Sequence, residues 1–433
     1  MLVTALLIRG GRLIDPRNGV DGRRDVLLRD GAVAAVGEEL LDLPAEVEVI
    51  DAAGRWVVPG LIDVHVHLRE PGEEGKETVL SGSQAAVAGG FTAVVAMPNT
   101  RPPNDSPQVT ELVLARARAA GLCRVYPAGA ISKGLLGEEL SEMGELRAAG
   151  CACFTDDGRP VMSASLMRRA LLYARPLGVP VVAHEEDLTL SGHGVMNEGL
   201  TAARLGLLPL PRSAEVAMVA RDLVLAQEVD GRLHLAHLSC AESVALVREA
   251  KKRGVRVTCE ATPHHFTLTD EAVDGYKTSA KMNPPLRRAE DVAAVREGLA
   301  DGTIDCIATD HAPHGPLEKE IEFDRAANGV VGLETAVPLA LELARSGVLT
   351  PGRVVALLSD GPARAFGLPG GHLGEGAPAD VAVIDPQAEW AVDAERFRSR
   401  CRNTPFHGRK VQGRVTHTVV GGRVVFAFEE AGR

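Results

Sequence analysis

Between Leu61 and about Ala312 the chain alternates short β-rich runs with helix-like stretches eight times over. Such alternation is the pattern of a parallel α/β sheet, in which each crossover helix returns the chain to the same edge. The runs are LIDVHVH (61–67), FTAVVAMP (91–98), RVYPAGAI (124–131), CACFTDD (151–157), VPVVAHEE (179–186), RLHLAHLS (232–239), RVTCEATPHH (256–265) and DCIATDHA (305–312). Amphipathic segments such as 107–120, 163–177 and 241–253 lie between them, the last opening at Ala241-Glu242-Ser243 and closing at Gly254. With 332–347 as the final helix, eight strand–helix units specify a TIM-type (β/α)8 barrel over residues 58–366. The flanks, 1–57 and 367–433, are rich in Gly and Val, with turn signals at Gly10-Gly11, Asp30-Gly31, Gly370-Gly371 and Gly421-Gly422. Neither flank is large enough to enclose a core alone, so the two are expected to pair into one small composite β-sandwich domain.

Composition narrows the partners. Forty-seven basic against 58 acidic residues give a formal charge of −11, with no basic footprint for nucleic acid or an anionic membrane. The N-terminal MLVTALLIRGGRLID is broken by Arg9 and reads as a first strand rather than a signal peptide, and no stretch is apolar for long enough to span a bilayer. Seven scattered cysteines, an odd number, suit reduced thiols in the cytoplasm, and the close pair Cys151 and Cys153 reads as core packing.

Ionisable and polar side chains gather where such a barrel builds its active site, at the C-terminal ends of the strands. His65 and His67, at i and i+2 in a strand, share one face, while Val64 and Val66 are expected on the other. Asn99 follows the second run, Asp156-Asp157 the fourth, His184 the fifth, His237 the sixth, His264-His265 the seventh, and Asp310 with His311 and His314 the eighth. A lone histidine at a strand end is more often structural, but several strands supplying His or Asp to one rim point to a metal site. His264 and His265 either orient a ligand or cap their strand. His311 is assigned a supporting or structural role, and His193 and His234 a structural one.

The segments DVHVHLREPG (63–72), AMPNTRP (96–102), FTDDG (154–158), AHEE (183–186), AHLS (236–239), KMNPPLR (281–287) and ATDHAPH (308–314) resemble those of the dihydroorotases of the amidohydrolase superfamily. The resemblance covers essentially the whole chain. It implies a pair of divalent metals, usually zinc, held by His65, His67, Asp157, His184, His237 and Asp310, with an aspartate bridging where many relatives carry a modified lysine. Either Asp156 or Asp157 could bridge; the motif match favours Asp157. Metal ions would generate a nucleophile at neutral pH and polarise a ring carbonyl, and Asp310 would act as the catalytic acid and base. Arg69 would bind the substrate carboxylate bidentately, with Asn99, Asn283, His314 and the backbone of Gly329 as further substrate contacts.

The implied reaction is reversible cyclisation of N-carbamoyl-L-aspartate to L-dihydroorotate in pyrimidine biosynthesis. Alternatives are a hydantoinase or allantoinase, disfavoured by Arg69-Glu70-Pro71-Gly72, or a silent homologue serving as a structural partner of aspartate transcarbamoylase. The resemblance also implies a homodimer and leaves a transcarbamoylase complex open. One departure stands out: Ala327-Asn328 occupies the place of a Pro-Phe pair in the long polar loop from His314 to Gly332, which is expected to fold over the site with less apolar cover.

Overall fold

The computed structural model describes residues 5–41 and 43–428. Eight parallel strands, β1 (Leu61–Val66), β2 (Phe91–Ala96), β3 (Arg124–Gly129), β4 (Cys153–Phe154), β5 (Val181–Ala183), β6 (Leu233–Leu235), β7 (Val257–Ala261) and β8 (Cys306–Ile307), pair in sequence order. The sequence runs extend past these strands because their C-terminal ends leave the ladder to form the rim. Residues 263–265, read as the end of a strand, open instead a short helix, Pro263–Thr267, with Pro263 in its first turn and the Thr262 hydroxyl accepting the His265 N–H.

Closure between β8 and β1 falls to residues beyond their ladders. The His67 N–H donates to the His311 carbonyl at 2.8 Å, and Val66 and His311 form a parallel bridge. Below this, the buried Asp63 carboxylate accepts the Thr309 hydroxyl (2.6 Å), the Thr309 N–H and the His65 N–H (3.0 Å). The β1 ladder with β2 shifts register between Asp63 and Val66. Accordingly Val64 and Val66 do not share a face: Val64 packs with Ala93, Val95, Ala128, Cys153, Val182 and Cys306, whereas Val66 joins the larger cluster with Leu68 and Phe91.

The helices follow their caps. Pro107–Ala120 opens on proline and stops at Gly121 (φ 62°), and Ala164–Leu177 begins where the Ser163 side chain accepts the Leu166 N–H. The stretch 332–347 is shorter than expected, Ala336–Arg345, and is not the last helix. Pro351–Leu358 and Asp360–Phe366 follow, the first announced by Thr350 capping the Arg353 N–H and by Pro351.

Strands from both flanks join one eight-stranded sheet, with Trp56–Pro59 antiparallel to Val381–Ala391 through pairs such as Val58 with Ala382. Leu6, Ile8, Val26, Leu28, Val57, Leu373, Val381 and Val419 form its core. Asp30-Gly31 and Gly421-Gly422, all at positive φ, turn two hairpins. Gly10-Gly11 is not a turn but an irregularity inside the strand Ala5–Asp15; a Cβ on Gly11 would stand 2.5 Å from Val57 Cγ2, so the chains approach there as only glycine permits. Residues 1–4 of the proposed first strand, and 429–433, lie outside the described residues. All seven cysteines are buried and unpaired, and no helix among the described residues is long and apolar enough to cross a membrane.

Arg124 of β3 ties barrel to flank: its guanidinium donates twice to Asp380, at 2.7 and 3.1 Å, and Asp380 also accepts the Gly421 N–H. Replacing Asp380 by Ala should lower unfolding free energy by about 2 kcal/mol, the usual cost of a charge-assisted pair with a buried acceptor. Denaturant unfolding monitored by circular dichroism measures this, and an unchanged midpoint would show that the tie contributes nothing.

Candidate metal centre

The rim of the barrel draws the side chains of four strands into a single buried cluster. Donor atoms of His65, Asp157 and His237, and of His65, His67 and Asp310, lie within 4.8 Å of one another in each group. Asp157 Oδ1 is 3.1 Å from His65 Nε2 and 3.9 Å from His237 Nε2, while its Oδ2 is 3.4 Å from His67 Nε2. One carboxylate thus faces three imidazoles with two different oxygens. Asp156 is turned away, accepting the N–H groups of Ile131 and Ser132 and the Ser132 hydroxyl. Asp310 Oδ1 lies 3.1 Å from His67 Nε2 and 3.6 Å from His65 Nε2. His184 stands at the edge: its Nδ1 is 3.0 Å from His237 Nε2, and its Nε2 faces Glu186 at 3.3 Å.

Three buried atoms here, His65 Nε2, Asp157 Oδ1 and His237 Nδ1, make no hydrogen bond among the described residues, the first two facing each other at 3.1 Å only as an ion pair. Buried polar atoms ordinarily find partners, and imidazole nitrogens and carboxylate oxygens left unpaired together have the chemistry of a divalent-metal donor set. Electrostatics agree. Burial alone would lower the His65 pKa, yet Asp157, Glu260 and Asp310 together hold it well above its ordinary value. Burial likewise opposes ionisation of Asp310, but His65 and His67 outweigh it and bring the carboxyl to about 2. Burial and the neighbouring His184 and His65 push His237 down to about 4, so it stays neutral and able to ligate.

Each of the two first histidines is aimed from behind. Glu260 Oε1 meets His65 Nδ1 at 2.7 Å and its Oε2 meets His234 Nε2 at 3.1 Å. A cation in the cluster would displace the proton that these carboxylates otherwise hold on His65, leaving Nδ1–H toward Glu260 and the Nε2 lone pair toward the ion. Asn99 Oδ1 does the same for His67, 2.9 Å from its Nδ1, while Asn99 Nδ2 donates to the Asp157 carbonyl. The sequence reading overlooked Glu260, a lone carboxylate in the middle of an otherwise uncharged strand, which was the signal available. His234, read as structural, is its second partner. His311 bonds Glu77 at 3.2 Å and accepts the Gly332 N–H. His265 is satisfied by Thr262 and the Pro284 carbonyl, whereas buried His264 Nε2 has no partner among the described residues.

Beside the cluster opens a cavity of about 200 Å³ lined by His67, Arg69, Asn99, Asp157, His184, His237, Asn283, Asp310, His314, Asn328 and Gly329. Arg69 is buried and held by the Pro313 carbonyl (3.3 Å) and His314 Nε2 (3.2 Å). Burial and the Arg69 charge lower His314 to about 4, so it is neutral; its Nδ1 faces Glu318. Asn283 Nδ2 donates to Glu186 at 2.8 Å. Gly329, at φ 133°, has its N–H committed to the Lys281 carbonyl and one carbonyl lone pair to Asn403 Nδ2, leaving the second lone pair of that carbonyl as its remaining capacity. Arg69, His237 and Asp310 all adopt positive φ, at 60°, 32° and 46°; such strain in non-glycine residues gathers where side chains must be aimed.

The loop above the cavity is anchored without the absent phenylalanine. Phe323 is buried against Met282, Leu286 and Val330, and the amines of Lys281 and Lys319 bond loop carbonyls of Asp324, Ala326 and Ala327. Asn328 gives the cavity a polar wall instead.

A family profile described as Dihydro-orotase-like matches residues 54–243, and one described as Amidohydrolase family matches 220–425. The chain is 62% identical over 430 residues to the dihydroorotase of Anaeromyxobacter sp. strain K, covering 99% of both chains. It is 55% identical over 421 residues to that of Pelobacter propionicus, covering 97% of this chain and 99% of the relative. Among solved structures, the L-hydantoinase of Arthrobacter aurescens superposes with a TM-score of 0.88 at 27% identity, covering 99% of this chain and 97% of its own.

Removing the carboxylate behind His65 should weaken metal binding without emptying the cavity of ligands. Glu260→Gln is expected to lower metal affinity by about 10- to 100-fold in competition with a chelator. Wild-type affinity in that variant would remove Glu260 from the site's support.

Proposed function

The chain belongs to the dihydroorotase family of amidohydrolases, and from that premise we propose how its rim residues divide the work. It is a cyclic amide hydrolase that interconverts N-carbamoyl-L-aspartate and L-dihydroorotate, a step of pyrimidine biosynthesis. The family is metal-dependent, and we assign two zinc ions to His65, His67, Asp157, His184, His237 and Asp310. When bound, they supply a nucleophile at neutral pH and Lewis-acid polarisation of the ring carbonyl. Asp157 is our bridging ligand, supported by its two oxygens facing different histidines.

The remaining work belongs to the chain's own side chains. Asp310, ionised by its imidazole neighbours, takes a proton from the attacking water and returns it to the amide nitrogen that leaves when the ring opens. Running in reverse, the same carboxylate accepts the amide proton as the ring closes. Arg69, aimed by His314 and the Pro313 carbonyl, receives the substrate carboxylate. Asn99, Asn283 and Gly329 border the same cavity, and we give them substrate contacts alongside the bonds they already make. Residues 58–366 form the catalytic barrel in this reading, and 1–57 with 367–433 the composite β domain. On the family resemblance we propose a cytoplasmic homodimer, with a transcarbamoylase complex left open.

The observation that carries the choice over a hydantoinase is Arg69. A buried guanidinium on the cavity wall suits a ring bearing a carboxylate, which plain hydantoin lacks. The test offers the zinc-loaded protein dihydroorotate, hydantoin and allantoin separately, with metal content measured on the same sample. Turnover of dihydroorotate alone is expected, and Arg69→Met should raise its KM by about tenfold or more while metal content holds. Hydantoin turnover without dihydroorotate turnover, or an unchanged KM in the variant, would refute the assignment.

A further inference from the structure

We propose that Asn403, in the C-terminal flank, is a positioning residue for the substrate end of the cavity; the inference rests on the dihydroorotase reading of that cavity. The chain between the strands Val381–Ala391 and Lys410–Val420 leaves the flanking sheet and crosses to the barrel rim. There the Asn403 side chain is buried and fully engaged. Its Oδ1 accepts the His314 N–H at 3.1 Å, and its Nδ2 donates to the Ala312 carbonyl at 2.9 Å and the Gly329 carbonyl at 3.0 Å. Its own carbonyl accepts the Val331 N–H at 3.0 Å.

Ala312, His314 and Gly329 all line the cavity, although Asn403 does not. One side chain therefore pins together the two ends of the loop that covers the site. Residues 312–314 are also those that hold Arg69, through the Pro313 carbonyl and His314 Nε2. Loosening them would let the guanidinium drift.

The chemistry selects the residue type. A carboxamide offers two N–H donors and an acceptor, which matches two carbonyls and one N–H; a carboxylate offers no donor and a hydroxyl only one. The same segment grips the rim a second time. Ser399 Oγ and the Arg400 N–H donate to Glu77 at 2.5 and 3.2 Å, and Glu77 meets His311, whose carbonyl accepts the His67 N–H. The flank thus reaches both the substrate side and the barrel seam without touching the reacting atoms.

The test compares the zinc-loaded full chain with Asn403→Ala and Asn403→Asp, the latter keeping side-chain size while facing two carbonyls with a carboxylate. Both should raise the KM for dihydroorotate about tenfold with kcat within about twofold, because the lost hydrogen bonds position the substrate's anchor rather than the metal ligands. Metal content should match wild type, and amide exchange across 312–332 should speed up, most at His314. Unaltered KM, unaltered exchange at His314, or a fall in kcat accompanied by metal loss would each overturn the proposal. Wild-type protein that failed to turn over dihydroorotate would refute the functional reading instead, and the exchange measurement would still decide whether Asn403 holds the rim.

Discussion

The seam between the first and last barrel strands is the constraint on which the site depends. β8 pairs for only two residues, so closure is completed by Asp63 receiving the Thr309 hydroxyl and amide, and by the His67 amide bonding the His311 carbonyl. Asp63 is two residues from His65, and Thr309 adjoins Asp310. The bonds that close the barrel therefore also bring histidines from the first strand against a carboxylate from the last, though more than 240 residues separate them. Burial raises the Asp63 carboxyl to about 7, against the hydrogen bonds that favour its charge, so the seam is built from a group taken out of water at a cost.

A second layer of buried polar groups transmits that order outward. Glu260 fixes His65, Asn99 fixes His67, and Glu77 fixes His311. Glu260 and Glu77 are buried and Asn99 is half-buried, and each has its opposite charge or hydrogen-bond partner within reach, which is the condition under which such groups stabilise rather than disrupt an interior. The flanking sheet takes part through Asp380 beneath the barrel strands and through Ser399 and Asn403 at the rim. It is a structural partner of the cavity as well as a cover for apolar surface.

Much of this was legible in the sequence. His65, His67, Asp157, His237 and Asp310 sit at the ends of short apolar runs, where strand geometry and barrel topology leave a side chain few directions to face, and the structure brings them together. Helix limits followed from caps such as Ser163 and Gly121. The rest depends on contacts that no local period encodes. Asn403 lies in an aperiodic stretch between two strands of the flank, and its side-chain partners are 74 to 91 residues away. The register shift after Asp63, which separates Val64 from Val66, appears only in the pairing with the neighbouring strand and leaves no mark on the alternation of residues 63–67. Phe323 anchors the loop from a position that motif comparison had no reason to inspect.

We propose that one buried cluster holds two metal ions, joined by Asp157, beside a guanidinium that reads a carboxylate. Anomalous diffraction at the zinc edge from crystals soaked in dihydroorotate tests it most directly. Two peaks sharing Asp157, with the ligand carboxylate against Arg69, are predicted. Peaks lying away from these residues, or a carboxylate bound elsewhere in the cavity, would contradict it.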